Sequence, residues 1–188
     1  EYFDSAYQLG MTATPRRVDN ANTYAYFGDP VYTYSLKQGI EDGFLVPFRV
    51  EAATSNIDAY EFQESDPELR GEEDKDKTYT EIDFYNGRIE IKDRDEHRVQ
   101  ELLKKINPDE KTIIFCARQD HAMIVRDLVN KHKQRPASNY CERVTYGDGE
   151  VGEATLRTFQ DNEKLLPTIL TTSYKLSTGV DARNVRNI

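Results

Sequence analysis

The chain has 188 residues, with 25 Lys and Arg against 34 Asp and Glu, so its formal net charge is −9. This length suits one domain with additions or two small domains, and the acidic balance argues against a protein that simply coats nucleic acid. No run approaches the roughly 18 apolar residues of a membrane span, and two cysteines cannot form the disulfide framework of a small secreted protein. We therefore expect a cytoplasmic protein, and the absence of an initiator Met suggests a piece of a longer chain.

The first third of the chain predicts three short strands and one helix. Alternating apolar, β-branched and aromatic residues indicate the strands, and a glycine ends the helix. In chain order these are a buried strand at 7–15 stopped by Pro15, a strand at 31–35, a helix at 36–43 and a strand at 48–53.

The next segment is polar and acidic. Residues 54–77 contain Pro67 and Gly71 and few apolar residues, which is typical of a mobile insertion. Residues 79–91 alternate weakly around Asn86-Gly87, a dipeptide that favours a β-hairpin turn.

From about residue 93 the pattern becomes regular. Asp93 with Glu96 resembles a capping box, and Asp120 is a second candidate helix cap. Continuous apolar runs indicate parallel strands covered on both faces. The predicted strands are 112–117, 143–146, 167–172 and 185–188, and the predicted helices are 93–106, 120–132 and 153–160. Strands and helices that alternate at this spacing predict a doubly wound α/β domain.

Several familiar catalytic patterns are missing from the sequence or poorly formed in it. No Gly-x-x-x-x-Gly-Lys-Ser/Thr phosphate loop occurs. The run 95–98 (Asp-Glu-His-Arg) superficially resembles an acidic magnesium motif, but no apolar strand precedes it, so a helix start is the better interpretation. The run 108–111 (Pro-Asp-Glu-Lys) is better explained as a turn than as a nuclease signature. The three histidines and two cysteines lack the spacing of metal ligands, so we expect no metal site.

Cys116 and a group of tyrosines each allow two interpretations. Cys116 lies in the most apolar run, where a buried packing thiol is favoured over a nucleophile. Tyr24, Tyr26, Tyr32 and Tyr34 could stack on nucleic-acid bases, but packing is the favoured interpretation.

Two threonine-rich segments follow predicted strands and are the best candidates for a ligand site. One is Thr12-Ala13-Thr14, and the other is Thr171-Thr172 with Thr178-Gly179-Val180-Asp181. Ligands of α/β proteins bind at the ends of strands, small residues allow a phosphate chain to approach, and hydroxyls can bind phosphate oxygens. An aspartate beyond the glycine can accept hydrogen bonds from a ribose. The structural alternative is a strand end that needs small residues and a common Thr-Gly turn.

These segments carry a resemblance to a known family. Residues 2–15 are similar to motif III of superfamily 2 helicases, and residues 26–47 closely resemble the R subunit of type I restriction enzymes. Residues 113–122 and 170–182 resemble motifs IV and V of the same family. The resemblance covers nearly the whole chain except the segment near 54–92.

The resemblance implies a RecA-like architecture. Residues 1–47 would be the tail of a first RecA-like lobe and its connection, and residues 48–92 a strand, the acidic insertion and a hairpin. Residues 93–188 would be a second RecA-like lobe, a doubly wound parallel sheet truncated before motif VI.

The resemblance also implies a function. The parent protein would couple ATP hydrolysis, with Mg²⁺, to translocation and cleavage of double-stranded DNA, in complex with modification and specificity subunits. The phosphate loop, the acidic motif II, the nuclease carboxylates and the motif VI arginines would lie outside these residues. We therefore expect the isolated chain to be inactive and to bind no cofactor tightly.

The resemblance assigns roles to seven residues. Thr12, Ala13 and Thr14 would couple the ATP site to DNA movement, and Thr172 would touch DNA phosphates. The nucleotide would be lined by Thr178, Gly179 and Asp181. Two alternatives stay open: the second lobe of another superfamily 2 DNA or RNA helicase, and a non-catalytic α/β interaction module in which 54–92 docks a partner.

Overall fold

The chain divides into two compact units, Glu1–Ala53 and Thr54–Ile188, hereafter the first and second unit. The computed structural model describes residues 6–17, 22–52, 60–61, 69–71, 78–79, 89–177 and 180–188. Among these residues, no helix combines the length and the apolar character that crossing a membrane requires.

The first unit contains a short helix that the sequence pattern did not predict. Helix α1 spans Thr23–Phe27. The side chain of Asn22 caps it by accepting hydrogen bonds from the backbone N–H groups of Tyr24 at 3.0 Å and Ala25 at 3.1 Å. This cap satisfies donors that a helix start otherwise leaves unpaired.

The second helix of this unit confirms a prediction. Helix α2 spans Leu36–Glu41 and begins with a capping box, in which Ser35 and Gln38 bond reciprocally to each other's backbone. The helix ends two residues before Gly43, whose φ of 79° is a left-handed conformation that glycine adopts without steric cost.

The three strands predicted in the first unit are wrong wherever the structure describes those residues. Residues 7–15, 31–35 and 48–52 form no strand, and residue 53 lies outside the described ranges. Tyr7, Leu9 and Met11 are almost fully exposed. A strand needs a neighbour to pair its backbone groups, and no other strand lies in the described part of this unit.

The prediction that the tyrosines of the first unit are packed is wrong for three of the four. Tyr26, Tyr32 and Tyr34 are exposed. Their polar ends make local contacts instead: the Tyr34 hydroxyl donates to the Asp42 carboxylate at 2.7 Å. Tyr24 is half-buried and lies under the Arg17 guanidinium, 4.6 Å from its ring centre.

The segment before residue 92 contains four short strands. Strand β1 (Tyr60–Glu61) pairs antiparallel with β3 (Thr78–Tyr79), and β2 (Leu69–Gly71) pairs antiparallel with β4 (Ile89–Ile91). Strands β1 and β2 lie within the segment 54–77, and the prediction that this segment is a mobile insertion stays a prediction. The predicted turn at Asn86-Gly87 lies outside the described residues, so the hairpin stays a prediction.

A parallel sheet organises the rest of the second unit. Its four strands lie in the order β6-β7-β5-β8, and every neighbouring pair is parallel. The strands are β5 (Lys111–Phe115), β6 (Cys141–Arg143), β7 (Ile169–Thr172) and β8 (Val185–Asn187). The predicted α/β architecture is confirmed, and the predicted strand ends lie within three residues of the observed ones.

Helices cover both faces of this sheet. They are α3 (Lys92–Lys105), α4 (Gln119–His132) and α5 (Gly149–Gln160), the last preceded by a 3₁₀ turn at Tyr146–Asp148. Ile169 of β7 packs in a core cluster with residues of α3 and α4, whereas the next residue, Leu170, packs in a separate cluster with Phe159 of α5. Since successive strand residues face opposite sides, the two clusters lie on opposite faces.

The predicted caps of α3 and α4 are wrong. Helix α3 begins at Lys92, directly after β4, so Asp93 lies inside the helix. Helix α4 begins at Gln119, and Asp120 binds the Arg118 Nε at 3.1 Å within the first turn. That ion pair lowers the pKa of Asp120, so its carboxylate stabilises the helix start by charge rather than as the cap.

Candidate functional site

Three neighbouring strands end side by side in the second unit. Phe115 of β5 pairs with Thr172 of β7, and Arg143 of β6 pairs with Thr171. The segments that follow, 116–118, 144–148 and 173–177, therefore emerge together, and we call them the carboxyl edge. In parallel α/β sheets this is the edge where ligands bind.

The hydroxyls of Thr171 and Thr172 are both used inside the fold. Thr171 donates to the carbonyl oxygen of Ala122 in α4 at 2.8 Å, and Thr172 donates to that of Val144 at 2.6 Å. Both side chains are fully buried. The pair ties the end of β7 to α4 on one face and to the end of β6 on the other.

This geometry bears on the role predicted for Thr172. Its hydroxyl is not presented to solvent, because the bond to Val144 occupies it within the sheet. A phosphate could reach it only if that bond were exchanged. The arrangement thus makes Thr172 a residue that fixes the shape of the carboxyl edge.

An aspartate fixes the loop that follows β6. Asp148 accepts hydrogen bonds from the backbone N–H of Thr145 at 2.7 Å and from its hydroxyl at 2.6 Å, and it binds the Arg143 Nε at 3.1 Å. Partial burial acts to raise the pKa of Asp148, but the bonds from Thr145 and Arg143 outweigh it and the pKa is lowered. The carboxylate is therefore charged at neutral pH.

A glycine holds the same loop against α4. The backbone N–H of Gly147 donates to the side-chain oxygen of Gln119 at 3.1 Å. A Cβ at position 147 would lie only 2.8 Å from that oxygen, so a side chain there would require the Gln119 side chain to move and give up this bond.

Beside this loop lies an open groove of about 700 Å³. The Lys175 ammonium binds the Glu153 carboxylate at 2.7 Å and lies 6.0 Å from the centre of the Tyr146 ring. Lys175 also lowers the pKa of Glu153, first through this hydrogen bond and then through its charge. The groove is lined by Tyr146, Gly149, Glu150, Glu153, Ala154, Arg157 and Lys175.

Of the predicted nucleotide-binding residues, Asp181 is described. Its side chain is 76% exposed and lies 3.5 Å from the Arg183 Nε. Its backbone carbonyl accepts a hydrogen bond from the Gln160 side chain at 2.8 Å, which anchors this segment to the end of α5. Thr178 and Gly179 lie outside the described residues.

The predicted coupling residues lie in the first unit. Thr12, Ala13 and Thr14 are exposed, and the Thr14 backbone N–H donates to the Thr12 hydroxyl oxygen at 3.0 Å. The structure therefore brings the two threonines together in one bend, with both side chains open to solvent.

The thiol predicted to be structural behaves as one. Burial raises the pKa of Cys116 to about 12, so its thiol is protonated and unreactive near neutral pH. Its sulfur packs in the cluster formed with α3 and α4. Burial raises the pKa of Cys141 as well.

Two of the three histidines pair with carboxylates between α3 and α4. His121 Nε2 lies 3.3 Å from the Asp95 carboxylate, and His132 contacts Glu96. Among the residues that the structure describes, no three His, Cys, Asp or Glu side chains come together as metal ligands would.

Sequence reasoning missed the loop network and the groove. The spacing of Thr145 and Asp148 is that of a capping box, so this part could have been found from the sequence. Nothing in the local sequence connects Lys175 with Glu153, because the crossover between α5 and β7 brings them together.

Comparisons with known proteins give a family model that matches part of the chain and relatives that match nearly all of it. The model of the SWI2/SNF2 ATPase family matches residues 1–83. The type I restriction enzyme EcoAI endonuclease subunit of Escherichia coli is 40% identical over 194 residues, which cover 99% of this chain and 24% of that subunit. The EcoKI endonuclease subunit of E. coli strain K12 is 28% identical over 100% of this chain and 17% of its own length.

A solved structure extends this agreement to three dimensions. A fragment of an HsdR subunit of a type I restriction enzyme from Vibrio vulnificus YJ016 matches with a TM-score of 0.76 and 38% identity. The match covers 100% of this chain and 33% of that one. The chain thus spans about a quarter or less of the length of the curated relatives that it matches.

The parallel sheet with helices on both faces and the carboxyl edge define the class: an α/β lobe of the RecA-like kind found in helicase-type motors. Within that class, the chain is homologous to a segment of the endonuclease, or R, subunit of type I restriction enzymes. The family resemblance drawn from the motifs is confirmed.

Proposed function

We propose that this chain is part of the ATP-dependent motor of a type I restriction endonuclease R subunit. The complete protein would couple ATP hydrolysis to the movement of duplex DNA and to its cleavage. The observation that carries this proposal is the 40% identity to the EcoAI endonuclease subunit over 99% of the chain. A module serving only protein interactions would not require such similarity to extend through the motor motifs.

In this proposal the predicted residues keep their roles. Thr12, Ala13 and Thr14 transmit changes between the ATP site and the DNA, and the exposure of both threonine side chains supports their availability. Thr178, Gly179 and Asp181 line the nucleotide, and the exposed Asp181 carboxylate can accept hydrogen bonds from it.

Thr172 contacts DNA phosphates in this proposal. To do so, its hydroxyl must exchange the bond with Val144 for one with a phosphate oxygen. Such an exchange would loosen β7 from β6 at the carboxyl edge and so connect DNA contact to the shape of the lobe.

Other parts of the complete subunit hold the phosphates and Mg²⁺, since the 188 residues contain no phosphate loop. The isolated chain is therefore expected to hydrolyse no ATP, to cut no DNA and to hold no cofactor tightly. In the complete protein, nucleotide binding closes two lobes and hydrolysis reopens them, which moves the DNA past a complex with modification and specificity subunits in the cytoplasm.

The test replaces Asp181 by Ala in the complete R subunit and measures its DNA-dependent ATPase activity. A hydrogen bond to a charged group contributes about 1.5–3 kcal/mol, so we expect turnover to fall by about tenfold or more. Glu163→Ala is the matched control, since Glu163 is also an exposed acid near the end of α5. Wild-type turnover in Asp181→Ala would contradict the role of Asp181 in the proposed site.

A further inference from the structure

The residues on either side of Asp181 hold its backbone against the core. Val180 and Ala182 are partly buried and pack against the core cluster that contains Phe159 of α5. Asp181 lies between them, and 76% of its side chain is exposed. Because both neighbours face the core, the Asp181 carboxylate is turned towards solvent on a backbone that is attached to the lobe.

The last residue of α5 binds this backbone directly. Gln160 Nε2 donates a hydrogen bond to the backbone carbonyl oxygen of Asp181 at 2.8 Å, although the two residues are 21 positions apart in the chain. The neighbouring Phe159 is fully buried, so the end of α5 cannot shift without disturbing a close-packed core. Gln160 therefore ties the Asp181 backbone to a part of the helix that the core holds in place.

This hydrogen bond acts on local position more than on the stability of the fold. Asp181 is exposed and Gln160 is half-buried, so water can replace either partner when the bond is lost. The bond does restrict the position of the peptide group next to the Asp181 carboxylate. A binding group has to be held within about 0.5 Å of its productive position, and hydrogen bonds from residues behind it supply that restraint.

We propose that Gln160 is a positioning residue for Asp181, holding its backbone so that the carboxylate meets the nucleotide in one orientation. This inference rests on the proposed function, because it takes Asp181 as a nucleotide contact. It gives a role in ATP hydrolysis to a residue of α5 that lies outside the threonine-rich segments. Gln160 acts through Asp181 and does not itself touch the nucleotide.

The test combines Gln160→Leu and Asp181→Ala in a double-mutant cycle and measures the DNA-dependent ATPase turnover of the complete R subunit. Leucine fills a similar space but donates no hydrogen bond, so Gln160→Leu should lower turnover by about two- to tenfold, less than Asp181→Ala does. In the Asp181→Ala background, Gln160→Leu should cause no further loss, because the carboxylate that it positions is already gone. A general loss of stability would lower turnover equally in both backgrounds.

Amide hydrogen exchange in the complete subunit gives a second readout that does not depend on activity. The backbone N–H of Val185 donates to the carbonyl oxygen of Ala182 at 3.2 Å, directly after the segment that Gln160 anchors. Gln160→Leu should therefore speed exchange of the Val185 amide by about two- to tenfold, because the anchored segment opens more often. The amides of β7 should exchange as in the wild type.

Thr158→Ala is the matched control, since Thr158 lies in the same turn of α5 and its hydroxyl donates within the helix, to the Ala154 carbonyl oxygen at 3.0 Å. It should change neither turnover nor exchange of the Val185 amide. If Asp181→Ala lowers turnover, then wild-type turnover in Gln160→Leu, equal losses in the two backgrounds or unchanged exchange at Val185 would overturn the positioning role and leave the proposed function intact. Wild-type turnover in Asp181→Ala would overturn the nucleotide contact of Asp181 and this inference together.

Discussion

The two units use similar sequences in different ways. Residues 7–15 of the first unit and residues 112–117 of the second unit both predict buried strands, yet only the second run forms one, as β5. Strand β5 pairs with β7 on one side and with β8 on the other. The difference shows that strand-forming residues specify a strand only where neighbouring strands can satisfy their backbone groups.

The prediction with the largest expected effect tests whether the second unit has a packed core that the first unit lacks. Phe159 is fully buried among residues of the second unit, and the Lys111 ammonium lies 4.8 Å from its ring centre. Removing such a side chain costs about 3–5 kcal/mol, so Phe159→Ala should reduce the free energy of unfolding by that amount in urea titrations.

The control for this prediction is a phenylalanine of the first unit. Phe44 is 80% exposed, so Phe44→Ala should change the free energy of unfolding by no more than about 0.5 kcal/mol. Comparable losses from the two substitutions would mean that the first unit has a packed core as well, and the contrast would fail.

Much of the second unit could be predicted from its sequence. Apolar runs such as 112–117 and 167–172 are long enough to be covered on both faces, and the spacing of Val125, Leu128 and Val129 matches one face of a helix. These local signals predict the observed elements correctly because the surrounding sheet pairs and covers the same residues. The helix starts were harder to predict. Asp93 and Asp120 have side chains that can cap a helix, but α3 begins at Lys92, directly after β4. Helix α4 begins at Gln119, with Arg118 at the cap position.

The candidate site was predictable in part. The threonine segments were found because their order along the chain matches a family pattern. The burial of the Thr172 hydroxyl was not predictable, because it depends on a strand 28 residues away. The ion pair between Lys175 and Glu153 was not predictable either, because the chain passes from α5 to the end of β7 between them.

The second prediction concerns pH at the carboxyl edge. Hydrogen bonds to a charged group contribute about 1.5–3 kcal/mol, so Asp148→Asn should lower the free energy of unfolding by about that much at pH 7. The pKa of Asp148 is lowered in the folded chain. Its stabilisation is therefore present above the ordinary aspartate pKa of about 3.9 and is lost as the pH falls through the lower folded value.

Urea titrations of the wild type and Asp148→Asn from pH 7 to pH 3 measure this. The difference in stability between them should shrink towards the acid end. Asp127→Asn is the control, because Asp127 is a largely exposed acid paired with Arg126. A difference that is constant across the range would show that the carboxylate's charge is not what fixes the loop.

The prediction with the smallest expected effect tests whether the two units unfold independently of each other. Asn22 caps the five-residue helix α1 of the first unit, and replacing such a cap by Ala costs about 1 kcal/mol. Asn22→Ala should therefore speed amide hydrogen exchange in α1, at Gly28 for example, whose N–H donates to Tyr24 at 3.0 Å. The amides of β7 should keep their protection, because the described residues that pack around Ile169 and Leu170 belong to the second unit. Faster exchange in β7 would mean that the helices of the first unit contribute to the stability of the sheet, and that the two units unfold together.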